Sequence, residues 1–209
     1  MKVTRAKAAE NRNRVLDVAG RLFRERGFDG IGIADLMKEA GLTHGGFYGN
    51  FESKEDLIVQ VFDRVFGEWL RRWKGSPTQS EGSPFDRFVG TYLSKDHCRD
   101  RGTGCALAAL ASDAARHGGA VRSTFGTGIK SVIEMLSQMA PERSAEAKRK
   151  KAISAFSEMV GAVILARASD DAALAREILD TSESNLAPSR QHRRSSRRSV
   201  GNRARRRAA

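Results

Sequence analysis

The 209-residue chain holds only two cysteines, Cys98 and Cys105. So few thiols in a chain of this size exclude a disulfide scaffold, and two free thiols are the default expectation. Long hydrophobic runs are missing as well. The longest near-apolar stretch runs from Met159 to Ala166, between Glu158 and Arg167, far short of the roughly 20 residues a membrane helix needs. The first residues are polar and basic, with Lys2, Arg5 and Lys7, and lack the apolar stretch of a signal peptide. A cytoplasmic location is therefore expected. Period-two alternation over a strand length is hard to find, which argues against β-structure.

Catalytic signatures are also lacking. Gly102-Thr103-Gly104 and Gly126-Thr127-Gly128 have neither the third glycine nor the strand of a dinucleotide loop. No HExxH and no nucleophile elbow occur, so neither an enzyme nor a cofactor is expected. His97, Cys98, Cys105 and His117 match no structural zinc spacing, and no metal is expected. A redox bridge would require Cys98 and Cys105 to meet with suitable geometry; plain thiols are the simpler reading.

What the chain does have is positive charge, unevenly placed. Its net charge is +12. Residues 1–74 carry 14 basic and 11 acidic groups, residues 75–187 carry 14 of each, and residues 188–209 carry nine arginines and no acid. Within residues 1–26, eight basic groups face three acids. Positive ends suit a polyanion, and a neutral middle suits a packed domain.

Apolar residues recur at helical spacing throughout. Val15, Ala19, Leu22 and Phe23 mark one face of a first helix, closed by Gly27 as a left-handed cap with Phe28 folding back behind it. Ile33, Leu36, Met37 and Ala40 mark a short second helix that breaks at Gly41. Thr43 is placed to cap a third short helix, with Phe47 and Phe51 four apart on its buried face. Ser53, with Asp56 three residues on, is placed to cap a fourth, along which Leu57, Val61, Val65, Trp69 and Trp73 run. Residues 75–84 (GSPTQSEGSP) read as a linker.

Beyond it, Pro84 opens a helix with Phe85, Phe88, Val89, Tyr92 and Leu93. A Gly- and Arg-rich loop, a small-residue helix at 105–115 and a helix carrying Val121, Phe125, Val132, Leu136 and Met139 follow. After Pro141 comes a helix that starts basic (148–151, KRKK) and continues apolar, with Ile153, Phe156, Val160, Val163 and Ile164 on its face. A last helix is expected over about 171–187. From Pro188 on, the arginine- and serine-rich chain has too little apolar content to order itself.

A helix of about eight residues, a glycine turn and another short helix have the size and order of a helix-turn-helix. Leu36, Ala40, Leu42 and Phe47 supply the packing and Gly41 the turn, leaving His44, Gly45, Tyr48 and Gly49 for the outer face. The stretch GLTHGGFYGNFESKEDL (41–57) resembles the recognition segment of TetR-like repressors. The resemblance is strong over residues 12–60. It is looser over 85–187, where GCALAALASD (104–113) is similar to the ligand-binding half of that family.

The resemblance implies an all-α fold: an N-terminal three-helix helix-turn-helix domain (1–53), a C-terminal helical ligand-binding and dimerisation domain (54–187), and a disordered basic tail (188–209). It also implies roles. Tyr48 bonds a phosphate through its hydroxyl. Lys54 meets another, helped by the N-terminal amides of its helix. Thr43 caps the recognition helix and reaches the DNA backbone. His44 and Asn50 are the polar side chains left for base edges or phosphates, and Arg5 and Arg12 steer toward flanking phosphates. Asn50 stands where a histidine is usual, and Gly49 where a larger side chain is usual. Three glycines in so short a helix cost roughly 1 kcal/mol each relative to alanine. Gly45 and Gly46 admit two readings, close approach of the backbone to DNA or close packing on the first helix.

In the second part, Trp69, Trp73, Phe88, Tyr92, Phe125 and Met159 are candidates to line a pocket for an unidentified small-molecule effector. The apolar run within 152–187 is similar to the family's dimer surface, so a homodimer on a near-palindromic operator, released by ligand, is the expected mode of action. The arginine tail supports an alternative, a non-specific nucleic-acid-binding protein. It is equally compatible with an altered reading frame.

Overall fold

A computed structural model describes residues 4–74 and 82–187. The tail at 188–209 and most of the linker at 75–84 lie outside the described residues. Among the described residues the chain is helical and contains no strand: α1 (Arg5–Arg26), α2 (Ile33–Glu39), a single 3-10 turn (His44–Gly46), α3 (Lys54–Lys74), α4 (Pro84–Tyr92), α5 (Lys95–Arg99), α6 (Ala106–Arg116), α7 (Gly119–Met139), α8 (Ala145–Ala168) and α9 (Ala172–Leu186). The all-α class expected from the periodicity is what is found. Short side chains cap several starts. Thr4, Ser83 and Ser144 each accept the backbone N–H three residues on, and Asp171 accepts those of Ala173 and Leu174.

The chain forms two compact units. The first joins residues 1–76 with 100–132, and the second joins 77–99 with 133–209. The sequence-based division at residue 53 follows presumed roles; the contact units cut across it, because α3 packs along α1 and α6 packs against both.

In the first unit the expected face of α1 is buried, with Val15, Ala19, Leu22 and Phe23 each inaccessible to solvent. Polar pairs flank the α1–α3 seam: Arg64 reaches Asp17 at 2.7 Å and Asn13 at 2.9 Å. Such exposed pairs add little beyond the packing, about 0–1 kcal/mol each.

Gly27 ends α1 with φ 79° and ψ 171°. The positive φ was expected, but the extended ψ is not that of a left-handed helical cap, so the chain leaves outward and drops Phe28 into the core. There the Phe28 ring meets Phe23, Phe62, Phe125 and His117 edge-on, at centroid distances of 5.6, 5.9, 6.1 and 5.3 Å. Full burial of one such ring stabilises by about 1.5–3 kcal/mol.

In the second unit, α4 buries Phe85, Phe88, Val89 and Tyr92, and α8 packs along α9. Helix α5 stands where the sequence suggested only loop. Arg167 of α8 donates to the carbonyls of His97 and Cys98 at its end, a long-range contact that local pattern does not announce. The predicted single face of α8 resolves into two. Phe156, Met159 and Val163 are buried with four alanines, whereas Ile153 and Ile164 are 42% and 43% exposed.

Gly27→Ala should destabilise the protein by about 1–3 kcal/mol, the cost of holding a non-glycine residue in this backbone region. The added Cβ would also lie 2.8 Å from the Asp113 carboxylate. Urea unfolding followed by circular dichroism measures it, and an unchanged midpoint would contradict this account of the corner.

Candidate nucleic-acid interface

Helix α2 ends in a two-bond glycine cap. The N–H of Gly41 (φ 68°) donates to the carbonyl of Lys38, and that of Leu42 to the carbonyl of Met37, both at 2.9 Å. The cap turns the chain sharply into residues 43–51. Leu36, Met37, Ala40, Phe47 and Phe51 are buried, as a helix-turn-helix requires.

The recognition element itself differs from expectation. In place of a short α-helix there is one 3-10 turn, His44–Gly46, followed by a turn through Tyr48–Asn50. Thr43 is extended and its side chain caps nothing, contrary to the expected N-cap. Gly45, Gly46 and Gly49 weaken α-helix here, and the segment is held instead by its two buried phenylalanines. Asn50 closes it: its side-chain amide donates to the carbonyl of Gly46 at 2.8 Å. One N–H of this side chain, expected from sequence to reach bases or phosphates, is thus used inside the turn, leaving its second N–H and its Oδ1.

The outer shelf is formed by Thr43, His44, Gly45 and Tyr48, all exposed. Tyr48 is 63% exposed. Its ring is fixed edge-on against Phe47 at 5.2 Å and His44 at 6.0 Å, so the hydroxyl projects from a rigid base. Lys54 is the first residue of α3. That helix start is well made: Ser53 Oγ accepts the N–H of Asp56, and Asp56 accepts the N–H of Glu52.

Arg5 is exposed on the first turn of α1. Arg12 is half-buried. It donates to Gln60 and lies over the Phe51 ring at 5.5 Å, so it ties α1 to the recognition segment and α3. Neither glycine packs on α1. A Cβ on Gly45 meets nothing within 4 Å, and one on Gly46 meets only Met37 and Thr43 at ordinary contact distance. That removes the packing explanation for both.

Sequence reading missed the residues that seat this domain from α6. Asp113 accepts the N–H of Phe28 at 3.2 Å and pairs with Arg116. Arg24 donates to the carbonyl of Gly102 at 2.5 Å, just ahead of α6. Burial lowers the pKa of the Arg24 guanidinium, with Asp100 pushing the other way. Separations of 78 and 85 residues leave no local signal.

The aromatic residues proposed for a ligand pocket fall in different units. Phe125 joins the first unit's aromatic cluster, 3.9 Å from Phe62. Trp69 and Trp73 are half-buried on α3 and contact each other at 6.2 Å. Trp69 lines a cavity of about 10 Å³ with Val65, Phe66, Cys105 and Val132, room for about one water. Phe88, Tyr92 and Met159 are core residues of the second unit, with Phe88 stacked on Tyr92 at 5.8 Å.

Residues 15–61 match the family described as "Bacterial regulatory proteins, tetR family". Over these residues the chain carries the tetR-family domain. It is 30% identical over 133 residues to the HTH-type transcriptional repressor NemR of Escherichia coli, covering 62% of this chain and 66% of NemR. The chain thus spans just under two thirds of that relative's length. It is 28% identical over 91 residues to the repressor KstR2 of Mycolicibacterium smegmatis, 44% of each chain. The crystal structure of reduced E. coli NemR superimposes with a TM-score of 0.71 at 24% identity, over 85% of this chain and 95% of that one. A TetR transcriptional regulator from Chloroflexus aurantiacus gives 0.72 at 25% identity, over 88% and 95%. These likenesses extend the tetR fold well beyond residues 15–61. No helix among the described residues is long and apolar enough to cross a membrane.

Gly45→Ala should leave unfolding stability within about 0.5 kcal/mol of wild type, since the new methyl meets only open space. It should nonetheless weaken DNA binding if the backbone approaches a phosphate there. Paired denaturation and fluorescence-anisotropy measurements check this, and unchanged affinity would remove Gly45 from the interface.

Proposed function

We propose that the protein is a transcriptional repressor of the tetR type. In this reading residues 1–53 dock on DNA, residues 54–187 bind a ligand and pair two copies, and a small-molecule effector releases a near-palindromic operator. The observation that carries the DNA reading is the shelf: an exposed, rigidly based Tyr48 beside His44 and Gly45, with Lys54 at the start of α3. Tyr48, Lys54 and Thr43 position the domain on phosphates, Arg5 and Arg12 add to it from α1, and Gly46 keeps the turn low. His44 and Asn50 are the side chains left for base edges or phosphates, with one N–H of Asn50 already bonded to Gly46.

Homodimer formation is supported by what α8 and α9 leave outside. Ile153, Ile164, Leu165 and Leu174 are 42–59% exposed on two helices that already bury a complete face. A second copy covers such a surface as a four-helix interface, and two-fold symmetry then doubles the contacts of a weakly binding helix-turn-helix. The effector acts by favouring a dimer whose recognition turns no longer match the groove spacing. The lining expected from sequence divides between the units, with Trp69, Trp73 and Phe125 in the first and Phe88, Tyr92 and Met159 in the second. The residues described carry this reading without the arginine tail, and the relatives are regulators, so the tail-driven alternative is not favoured. A cytoplasmic location accords with the role.

Footprinting on the gene's own flanking DNA tests the central reading: a protected, near-palindromic stretch is expected, and protection lost equally to random competitor would overturn it. Tyr48→Phe and Lys54→Ala should each weaken binding about equally on all sequences, with Lys54→Ala reducing the salt slope by about 1. His44→Ala should change base preference. If all three leave affinity and preference untouched, the docking face is wrong. Leu165→Asp should shift the protein from dimer to monomer in sedimentation, and a persistent dimer would place the interface elsewhere.

A further inference from the structure

Within the second unit, α5, α8 and α9 enclose a cleft of about 200 Å³. Cys98, Ala166 and Leu179 form its buried floor, and Ala172 and Ala175 leave its wall low. Three cationic side chains line the same cleft: Lys95 and Arg99 from α5, and Arg176 from α9. None of the three has an ion pair among the described residues, although Asp96, Glu177 and Asp180 are close in sequence. Several other surface cations are paired, as in Lys7–Glu10, Arg21–Glu25 and Lys150–Glu146.

The cleft is held in place from behind. The two bonds from Arg167 to the carbonyls of His97 and Cys98, at 3.1 and 2.9 Å, pin the end of α5. It also lies away from the surface assigned to the dimer. At ~100° per residue, Ala172, Ala175, Arg176 and Leu179 share one arc of α9, centred roughly 150° from Leu174.

We propose that this cleft binds a small carboxylate with a compact apolar body. The anion meets Lys95, Arg99 and Arg176, and arginine's planar fork suits a carboxylate in particular. The apolar body lies on Cys98, Ala166 and Leu179, where the alanines of α9 leave space. The volume is below the range of about 300–1,000 Å³ typical of drug-sized ligands, which restricts the ligand to roughly the size of benzoate or hexanoate. The site needs neither the DNA interface nor the aromatic set proposed for the effector, so it stands or falls separately from the repressor reading.

Calorimetric titration of the full chain tests it, with benzoate and hexanoate as probes and benzamide as the neutral control. Saturable binding of a carboxylate with one site per chain is expected, with benzamide at least about tenfold weaker. Arg99→Gln and Arg176→Gln, both at exposed positions, should each weaken binding about tenfold, as expected for losing a charge-assisted hydrogen bond. Ala175→Phe should fill the cleft and abolish binding, with circular dichroism confirming retained helix. If Ala175→Phe unfolds the protein, the two arginine variants decide alone. Absence of saturable binding, equal affinity for benzamide, or carboxylate binding unaffected by both arginine substitutions would each overturn the proposal.

Discussion

The N–H of Phe28 donates to a carboxylate of α6, and the seat of the DNA-binding segment depends on that bond. Helix α1 stops at Gly27 in a backbone conformation open mainly to glycine, and the next residue leaves the helix with an unsatisfied donor and a large ring. Asp113 takes the donor, and Phe23, Phe62, Phe125 and His117 take the ring. A second tie, from Arg24 to the carbonyl of Gly102, holds the chain entering α6. The two ties fall near opposite ends of one 11-residue helix. Within this unit, α1 and the turn into α2 are therefore located by α6 as well as by their own packing.

What that seat presents is an unusual recognition element. A glycine-rich segment that does not sustain an α-helix becomes a 3-10 turn clamped by Phe47 and Phe51, with Asn50 bonded back to its own backbone. Tyr48 stays exposed and braced by rings, and Lys54 rides on a well-capped helix. Fewer polar side chains stand free on the same face. Gly45 and Gly49 have no side chain, and one N–H of Asn50 is bonded to Gly46. In the proposed docking this arrangement favours contacts to the DNA backbone over discrimination among bases.

Helix α8 shows a similar economy in the second unit. Its apolar residues outnumber what one buried face needs. Alanines at 152, 155, 162 and 166 allow close packing in the monomer, and the bulkier Ile153, Ile164 and Leu165 are left outside. An apolar surface of this kind suits a second copy, whereas the alanines of α9 and the unpaired cations around them suit a small anion. The two surfaces occupy different arcs of α9 and need not compete.

Much of this protein was legible without coordinates. Helical periodicity, Gly27 and Gly41 at helix ends, Ser53 at a helix start, and the spacing of Phe47 and Phe51 are local features. They determined the all-α class, the helix-turn-helix and the face of α1, because capping and amphipathic burial act within a few residues. Periodicity did not tell which of two apolar faces of α8 is covered, since both repeat at the same spacing. Nor did it separate a true helix at 44–50 from a turn that only tertiary burial holds. The short α5 depends on Arg167, about 70 residues away. The bonds from Asp113 to Phe28 and from Arg24 to Gly102 exist only because the chain returns to its own beginning. Sequence by itself therefore determined what kind of element stands at most positions, and tertiary structure decided which polar groups are spent holding elements together and which remain free to meet a partner.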